Sequence, residues 1–338
     1  MQKSHTGVLA PFSRFSNPKG KERISKPAAM LFSARSLILV ISFQAAVIAG
    51  ILAYLDNKFN ALYFIALLAA YIALHMASNL SNDYFGYRHG HDTADSPRRR
   101  YTFHPLADNI VSERGLKVWI VMLFAVAVAI AAFFTYARGL LILIFVAIGL
   151  ALFFLYDASP ITLKSIGLGE IAAFVVWGPL MIGGGYFAIT GILSLNAFLI
   201  SLPYGLGVMS ILIGKHIDQI EFDRSHGQGT LPVIAGEKAA RVLNQVTIVV
   251  MYGIAFLLVL SAYAPASLLI ILFNIPQAVL ALNTLSKPRP KKPPAGYIGW
   301  PLWYHRHSLV QNRNFGWLYI IGLLIGAVLL LFKIPVYL

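Results

Sequence analysis

Nine stretches of roughly 20 mostly apolar residues recur along the chain, separated by polar segments. The hydrocarbon core of a bilayer requires about 20 such residues per helix, and a helix is one of the few structures that can pair all its backbone groups there. The pattern therefore predicts an all-α, polytopic membrane protein with nine transmembrane helices. The expected spans are 36–55, 61–82, 117–136, 138–156, 168–189, 194–214, 242–262, 265–284 and 314–333.

Composition excludes a soluble globular domain. The chain is 58% hydrophobic and only 12% charged, about half the charged fraction of an average soluble protein. A net charge of +14 would suggest a nucleic-acid partner in a soluble protein, but in an apolar chain it is typical of membrane topology. We therefore expect membrane lipid, and no nucleic acid, as a partner. The absence of cysteine excludes disulfide scaffolds and cysteine-ligated metals.

The basic residues predict an orientation in the cell (cytoplasmic) membrane. If the N-terminus is cytoplasmic, nine spans place 24 of the 27 Lys and Arg residues inside, all but Lys58, Arg138 and Lys333. This bias agrees with the positive-inside rule. Residues 1–35 are then a basic cytoplasmic tail, expected to be mobile. Residues 36–338 form a single nine-helix domain, with its C-terminus outside.

The acidic residues share that inner side. Twelve of the 13 Asp and Glu residues, all but Asp56, fall there. The positive-inside rule does not require this, because acidic residues contribute little to it. The carboxylates therefore predict a function at the cytoplasmic face.

Two polar clusters end the second and sixth expected spans, at Asn79–Asp92 and Lys215–Arg224. Four crossings separate them, so both lie at the same membrane face. Mg²⁺ takes oxygen ligands, typically one or two carboxylates plus substrate phosphates, so two facing clusters could hold metal ions around a diphosphate. Any single residue here could instead be a helix cap or a hydrated loop residue. Ionisable residues at the ends of two membrane helices nevertheless favour a functional site.

The first cluster, NLSNDYFGYRHGHD (Asn79–Asp92), resembles the first aspartate-rich motif of the UbiA superfamily of intramembrane prenyltransferases. It is most similar to the branch that prenylates 1,4-dihydroxy-2-naphthoate in menaquinone synthesis. Residues 156–186, with SIGLGE and GPLMIGGGY, resemble the region after that family's fourth span. Residues 218–236, DQIEFDRSHGQGTLPVIAG, resemble its second motif.

The resemblance covers residues 36–335 and implies a fold and a reaction. The helices would bundle around a central cavity with a cytoplasmic active site. An isoprenyl diphosphate would bind with Mg²⁺, and its allylic C–O bond would ionise. An aromatic lipid-precursor acceptor, similar to a quinone precursor, would then attack the carbocation.

The resemblance also implies roles for individual residues. The catalytic carboxylates would be Asp83, Asp92, Asp218 and Asp223. The metal ligands would be these four aspartates with Asn82, helped by Glu221. The diphosphate would contact Asn82, Lys164, Lys215 and Arg224. Candidates for stabilising the cation through their aromatic faces are Phe85, Tyr87, Phe174, Trp177 and Tyr186.

The chain departs from the family pattern at two places. Gly86 stands where the first motif normally has an aspartate. In the second motif, counting back from Asp223 places Gln219 and Lys215 at positions where the family has Asp and Asn, while Asp218 lies one residue early. The sequence leaves open whether Asp218 substitutes from an adjacent helical direction or the helix end is re-registered.

Two other functions agree with parts of the sequence. A UbiA-fold relative could cyclise an isoprenoid or prenylate a non-quinone acceptor, and Gly86 and Gln219 are the residues that favour this alternative. A secondary transporter would place polar residues near the bilayer midplane on broken helices. Here the acids gather at one face, which favours an enzyme.

Overall fold

The computed structural model of the chain describes residues 26–90, 92, 104–157, 162–297 and 300–337. In this part all regular structure is helical and no β-strand occurs, as predicted. The helices, numbered in chain order, are α1 (Lys26–Ser33), α2 (Leu39–Leu55), α3 (Ala61–Arg88), α4 (Glu113–Arg138), α5 (Leu141–Asp157), α6 (Gly169–Thr190), α7 (Leu195–Asp218), α8 (Ile220–Ser225), α9 (Leu231–Ala235), α10 (Glu237–Leu260), α11 (Ala266–Leu285) and α12 (Tyr304–Leu331). Single 3₁₀ turns at Ser36–Ile38 and Lys164–Ile166 precede α2 and α6.

Seven of the described helices are long and apolar enough to cross a membrane: α3, α4, α6, α7, α10, α11 and α12. Helices α2 and α5 are also apolar but only 17 residues long. They lie where the first and fourth spans are expected. Helix length therefore supports seven spans and does not confirm the predicted count of nine.

The predicted tail, 1–35, is only partly within the described residues, since 1–25 lie outside them. Residues 26–33 form α1, and the side chains of Met30, Phe32 and Ala34 are buried. Met30 and Ala34 pack in one apolar cluster with Leu80 at the end of α3. The packed body therefore includes residues before position 36.

Helix α6 is irregular at its centre. Residues Val176–Gly183 form a π-helical segment that contains Pro179. Proline has no N–H to donate to the preceding turn, which disfavours regular α-helix there, and π segments are common at functional sites. Close packing of α6 on α7 accompanies the irregularity, because a Cβ on Gly178 would lie 3.1 Å from the Cα of Gly205.

Buried hydrogen bonds tie α2, α7 and α12 together at the centre of the bundle. The Tyr204 hydroxyl donates to the carbonyl of Ile41 at 2.7 Å, and the Tyr319 hydroxyl donates to the carbonyl of Ile200 at 2.8 Å. Paired polar groups of this kind are retained in a core because an unpaired one is costly. They hold α7, whose end carries part of the second cluster, against α2 and α12.

Candidate functional site

A cavity of about 620 Å³ lies between helices α2 to α8 and α12. Its walls are mostly apolar and include Phe124, Phe134, Phe145, Phe153 and Leu180. The ends of α3 and α7, where the two polar clusters lie, also line it. The cavity therefore offers a polar end and an apolar interior, which suits a molecule with a polar head and a hydrocarbon tail.

The last turns of α3 form the first half of the polar end. Asn79, Asn82, Gly86 and His89 line the cavity, since residues three or four apart share one helix face. Asp92 follows the helix and also lines the cavity. The structure therefore brings together two of the predicted ligands, Asn82 and Asp92.

Asp83 lies on a different face of α3 from Asn82. Its carboxylate is fully buried and accepts a hydrogen bond from Arg35 Nη2 at 3.1 Å. Arg35 Nη1 donates to Asn79 Oδ1 at 3.0 Å, and Arg35 itself lines the cavity. Asp83 is therefore connected to the cavity through Arg35, a residue that we assigned from the sequence to the tail.

His104 holds the carboxylate of Asp92. The ring is fully buried, and its Nε2 lies 3.2 Å from Asp92 Oδ2. Its Nδ1 accepts the backbone N–H groups of Leu106 and Ala107, at 3.2 and 3.1 Å. Because Nδ1 is an acceptor, the proton of the neutral ring is on Nε2, which donates to Asp92. No sequence signal pointed to His104, which is 12 residues from its partner.

Asp83, Asp92 and His104 each offer one atom within 4.8 Å of the others. Burial alone would raise the pKa of the Asp92 carboxyl. The hydrogen bond from His104 and the charges of Arg35 and Lys164 outweigh burial and hold that pKa below its ordinary value. Asp92 is therefore kept as an anion at the cavity.

The second half of the polar end contains Lys215, Gln219 and Asp223, all of which line the cavity. Their spacing of four residues places them on one side of the α7–α8 junction. Asp223 is buried, and the Thr230 hydroxyl donates to its Oδ2 at 3.3 Å. The residues found by counting back from Asp223 in steps of four, Gln219 and Lys215, are therefore the ones that face the cavity.

Asp218 does not face the cavity, so its prediction as a metal ligand and catalytic residue is not supported by the geometry. Its carboxylate accepts the backbone N–H groups of Tyr304 and His305, at 3.1 and 2.9 Å. These are first-turn N–H groups of α12, which have no partner within their own helix. Asp218 directly precedes Gln219 and points in a different direction from it. Its carboxylate caps the first turn of α12.

The predicted diphosphate ligands divide in the same way. Lys164 and Lys215 line the cavity, whereas Arg224 is exposed on α8 and is not among the lining residues of the described chain. Glu221 is likewise exposed. Two arginines of α12, Arg306 and Arg313, line the cavity and were missed.

Among the described lining residues, the side-chain cations outnumber the carboxylates. The cations are Arg35, Lys164, Lys215, Arg306 and Arg313, and the carboxylates are Asp92 and Asp223. Such an excess in a cleft with apolar walls attracts an anionic head group. Of the five aromatic candidates, only Trp177 lines the cavity within the described chain, and Tyr186 donates to Asp56 instead.

Comparison with known families accounts for this arrangement. The model of the UbiA prenyltransferase family matches residues 43–303, which include both clusters and most of the helices. The chain belongs to the UbiA prenyltransferase family.

Two relatives of this UbiA chain are named as octaprenyltransferases of 1,4-dihydroxy-2-naphthoate. It is 24% identical over 293 residues to 1,4-dihydroxy-2-naphthoate octaprenyltransferase of Bacillus subtilis, covering 85% of this chain and 89% of that protein. It is 28% identical to the Escherichia coli enzyme of the same name, covering 65% of this chain and 73% of that one. The UbiA chain is therefore a prenyltransferase.

Solved UbiA structures share the fold. A UbiA homologue from Aeropyrum pernix superposes with a TM-score of 0.63 at 21% identity, covering 85% of this chain and 97% of that one. A homologue from Archaeoglobus fulgidus, solved with GPP and Mg²⁺, gives 0.62 at 14% identity, covering 88% and 99%. The bundle predicted from the family resemblance is therefore confirmed at the level of fold.

The donor atoms of the UbiA site fit a hard divalent cation better in one half than in the other. The first half offers oxygen atoms of Asn82 and Asp92 at the cavity, with Asp83 close behind. The second half offers the carboxylate of Asp223 and the amide of Gln219, and the ammonium group of Lys215 lines the cavity in the same half. Because Mg²⁺ takes oxygen ligands and is repelled by an ammonium group, the first half fits the metal better.

Proposed function

We propose that this UbiA chain transfers a polyprenyl group from an isoprenyl diphosphate to an aromatic acceptor similar to a quinone precursor, with Mg²⁺. The observation that carries the proposal is the cavity itself, whose polar end has an excess of cations and whose interior is apolar. An isoprenyl diphosphate has the matching shape, an anionic head on a hydrocarbon chain. Relatives named 1,4-dihydroxy-2-naphthoate octaprenyltransferase support the naphthoate class of acceptor.

The head group would bind between the two halves of the polar end. Lys164 and Lys215 would contact the diphosphate directly, joined by Arg306. Asn82 and Asp92 would supply the oxygen ligands of Mg²⁺, and Asp223 would approach from the opposite side. Bound Mg²⁺ would neutralise charge on the leaving diphosphate.

The reaction then follows from the position of these groups. The allylic C–O bond breaks and its electron pair leaves with the diphosphate, whose developing charge the lysines stabilise. A carbon of the acceptor forms the new bond to the allylic carbon, and its proton passes to the departing diphosphate. The apolar walls exclude water, which would otherwise capture the cation, and Trp177 offers an aromatic face to it.

We also propose the membrane arrangement predicted from the charges. Residues 36–338 would form one domain of nine spans in the cell membrane, with α2 and α5 as the two shorter ones. The polar end of the cavity and the N-terminus would lie in the cytoplasm and the C-terminus outside. A reporter fused to the C-terminus tests this directly, because cytoplasmic reporter activity would contradict an odd number of spans.

The test of function uses purified protein in detergent with geranyl diphosphate, 1,4-dihydroxy-2-naphthoate and Mg²⁺. We expect release of pyrophosphate together with a prenylated product detected by mass spectrometry, both abolished by chelating the metal. Asp223→Asn should lower the rate of product formation by about a hundredfold, whereas the control Glu237→Gln, at an exposed carboxylate on α10, should keep the wild-type rate. If no prenyl diphosphate of any chain length yields product, the proposal is wrong.

A further inference from the structure

Three side chains from three helices form a hydrogen-bonded group in the wall of the cavity. Trp177 Nε1, in the π-helical segment of α6, donates to Ser42 Oγ of α2 at 3.1 Å. Ser42 Oγ lies 2.8 Å from Nδ1 of His75 on α3. The rings of His75 and Trp177 meet edge to face at 5.3 Å. All three residues line the cavity.

The network fixes the position of the proton on His75. An indole N–H can only donate, so Ser42 Oγ accepts from Trp177 and has its own proton to give. Ser42 is fully buried, and within the described chain its hydroxyl has no acceptor other than His75 Nδ1. An unused buried hydroxyl would be costly, so Ser42 donates to Nδ1 and the ring proton is on Nε2.

The Nε2–H group of His75 is a donor without a protein partner. Only 7% of the residue is exposed, and no described residue accepts a hydrogen bond from Nε2. The hydroxyl of neighbouring Tyr71 donates to the carbonyl of Met181 at 2.7 Å, and within the described chain no hydrogen bond joins it to His75. His75 therefore presents a single oriented donor in a mostly apolar part of the cavity.

The position of His75 along α3 relates this donor to the head-group site. His75 lies four residues before Asn79 and seven before Asn82, about 6 and 10 Å along the helix axis. An acceptor that meets the allylic carbon just inside the polar end would extend toward His75. Nε2–H can only bind an oxygen or another acceptor atom of that molecule.

We propose that His75 recognises the hydroxyl oxygen of the aromatic acceptor, and that Ser42 and Trp177 orient it for this role. The inference rests on the proposed function and adds the residue that selects the acceptor. Hydroxylated aromatics would be favoured over aromatics of the same shape without the hydroxyl group, because the latter leave the buried donor unpaired.

The test compares the binding of 1-hydroxy-2-naphthoate and 2-naphthoate, which differ only in that hydroxyl, to detergent-solubilised protein by calorimetry. Wild-type protein should favour the hydroxylated compound by about tenfold. His75→Phe should reduce that ratio to near one, and His75→Gln, which retains a donor, should restore part of it. Ser42→Ala should lower the ratio. Its matched control Ser201→Ala, another fully buried serine that does not line the cavity, should leave it unchanged.

Binding of geranyl diphosphate with Mg²⁺, measured on the same samples, separates the two proposals. Donor binding should be equal in wild type and His75→Phe, which also shows that the variant is folded. An unchanged ratio in His75→Phe, or an equal loss of both naphthoates, would overturn the role of His75 and leave the prenyl transfer proposal intact. Wild-type protein that binds no prenyl diphosphate of any chain length would overturn both.

Discussion

The carboxylate of Asp92 occupies the space that a side chain on Gly86 would fill. A Cβ built on Gly86 would lie 2.3 Å from Asp92 Oδ2, and the backbone N–H of Asp92 donates to the carbonyl of Gly86 at 3.0 Å. The chain thus folds back over the end of α3 and places the Asp92 carboxylate beside residue 86, where the family motif normally has an aspartate. Glycine at this position permits that return.

Gly86→Ala is therefore expected to damage the site although alanine is favoured in helices. The new methyl group would displace Asp92 by an ångström or more, which can lower a catalytic rate by about a hundredfold. The prenyl transfer rate measures this, with the melting temperature as a check on folding. Gly253→Ala on α10, where a Cβ meets no atom within 4 Å, is the matched control. Wild-type activity of Gly86→Ala would contradict the role given to Asp92.

Asp218 and Asp223, five residues apart, are expected to fail in different ways. Asp218→Ala removes the cap of α12 and should lower the free energy of unfolding by about 1–2 kcal/mol. Asp223→Asn preserves the shape of the side chain and should lower the transfer rate by about a hundredfold with little change in melting temperature. Thermal denaturation in detergent and initial rates on the same preparations distinguish the two.

The role of Asp218 as a helix cap would be contradicted if Asp218→Ala has the melting temperature of wild type and loses all turnover. Asp218→Asn provides a further control, since its amide oxygen can still accept one of the two backbone N–H groups of α12. Its melting temperature should lie between those of Asp218→Ala and wild type.

Apolar length and motif position predicted most of the architecture from the sequence. A bilayer imposes about 20 apolar residues per helix, so the helices and the location of both clusters at helix ends followed directly. The sequence did not predict correctly which residue at the end of α7 faces the cavity. Asp218 and Gln219 are neighbours in the sequence, and the contact of Asp218 with α12, a helix distant in the chain, could not be predicted from their spacing.

Residues contributed by distant segments could not be predicted. Arg35 reaches Asp83 across 48 positions, and Arg306 and Arg313 come from the last helix. Spacing rules connect residues within one helix, so they carry no information on such partners. Arg35 also lies in a basic segment whose charge the positive-inside rule already explains, so nothing in the sequence marked it as a residue of the site.

Arg35 and Asp83 are expected to depend on each other for stability. Arg35→Gln removes the ion pair of a buried carboxylate, and hydrogen bonds to charged groups are worth about 1.5–3 kcal/mol. Asp83→Asn removes the same contact. The melting temperature of the double variant should therefore be no lower than that of the less stable single variant. Melting temperatures of the four proteins complete the cycle. Additive losses would show that the two side chains do not interact.

His104 is expected to control the metal requirement through Asp92 without binding the metal itself. His104→Asn supplies an oxygen that can still accept the N–H groups of Leu106 and Ala107, but it is too short to hold Asp92. Loss of a residue that orients a ligand typically weakens metal binding by about 10–100-fold. The Mg²⁺ concentration for half-maximal transfer should therefore rise by about tenfold or more, while the rate at saturating Mg²⁺ and the melting temperature stay close to wild type. An unchanged Mg²⁺ requirement would contradict the positioning role, and a rate that no Mg²⁺ concentration restores would indicate that His104 is itself a ligand.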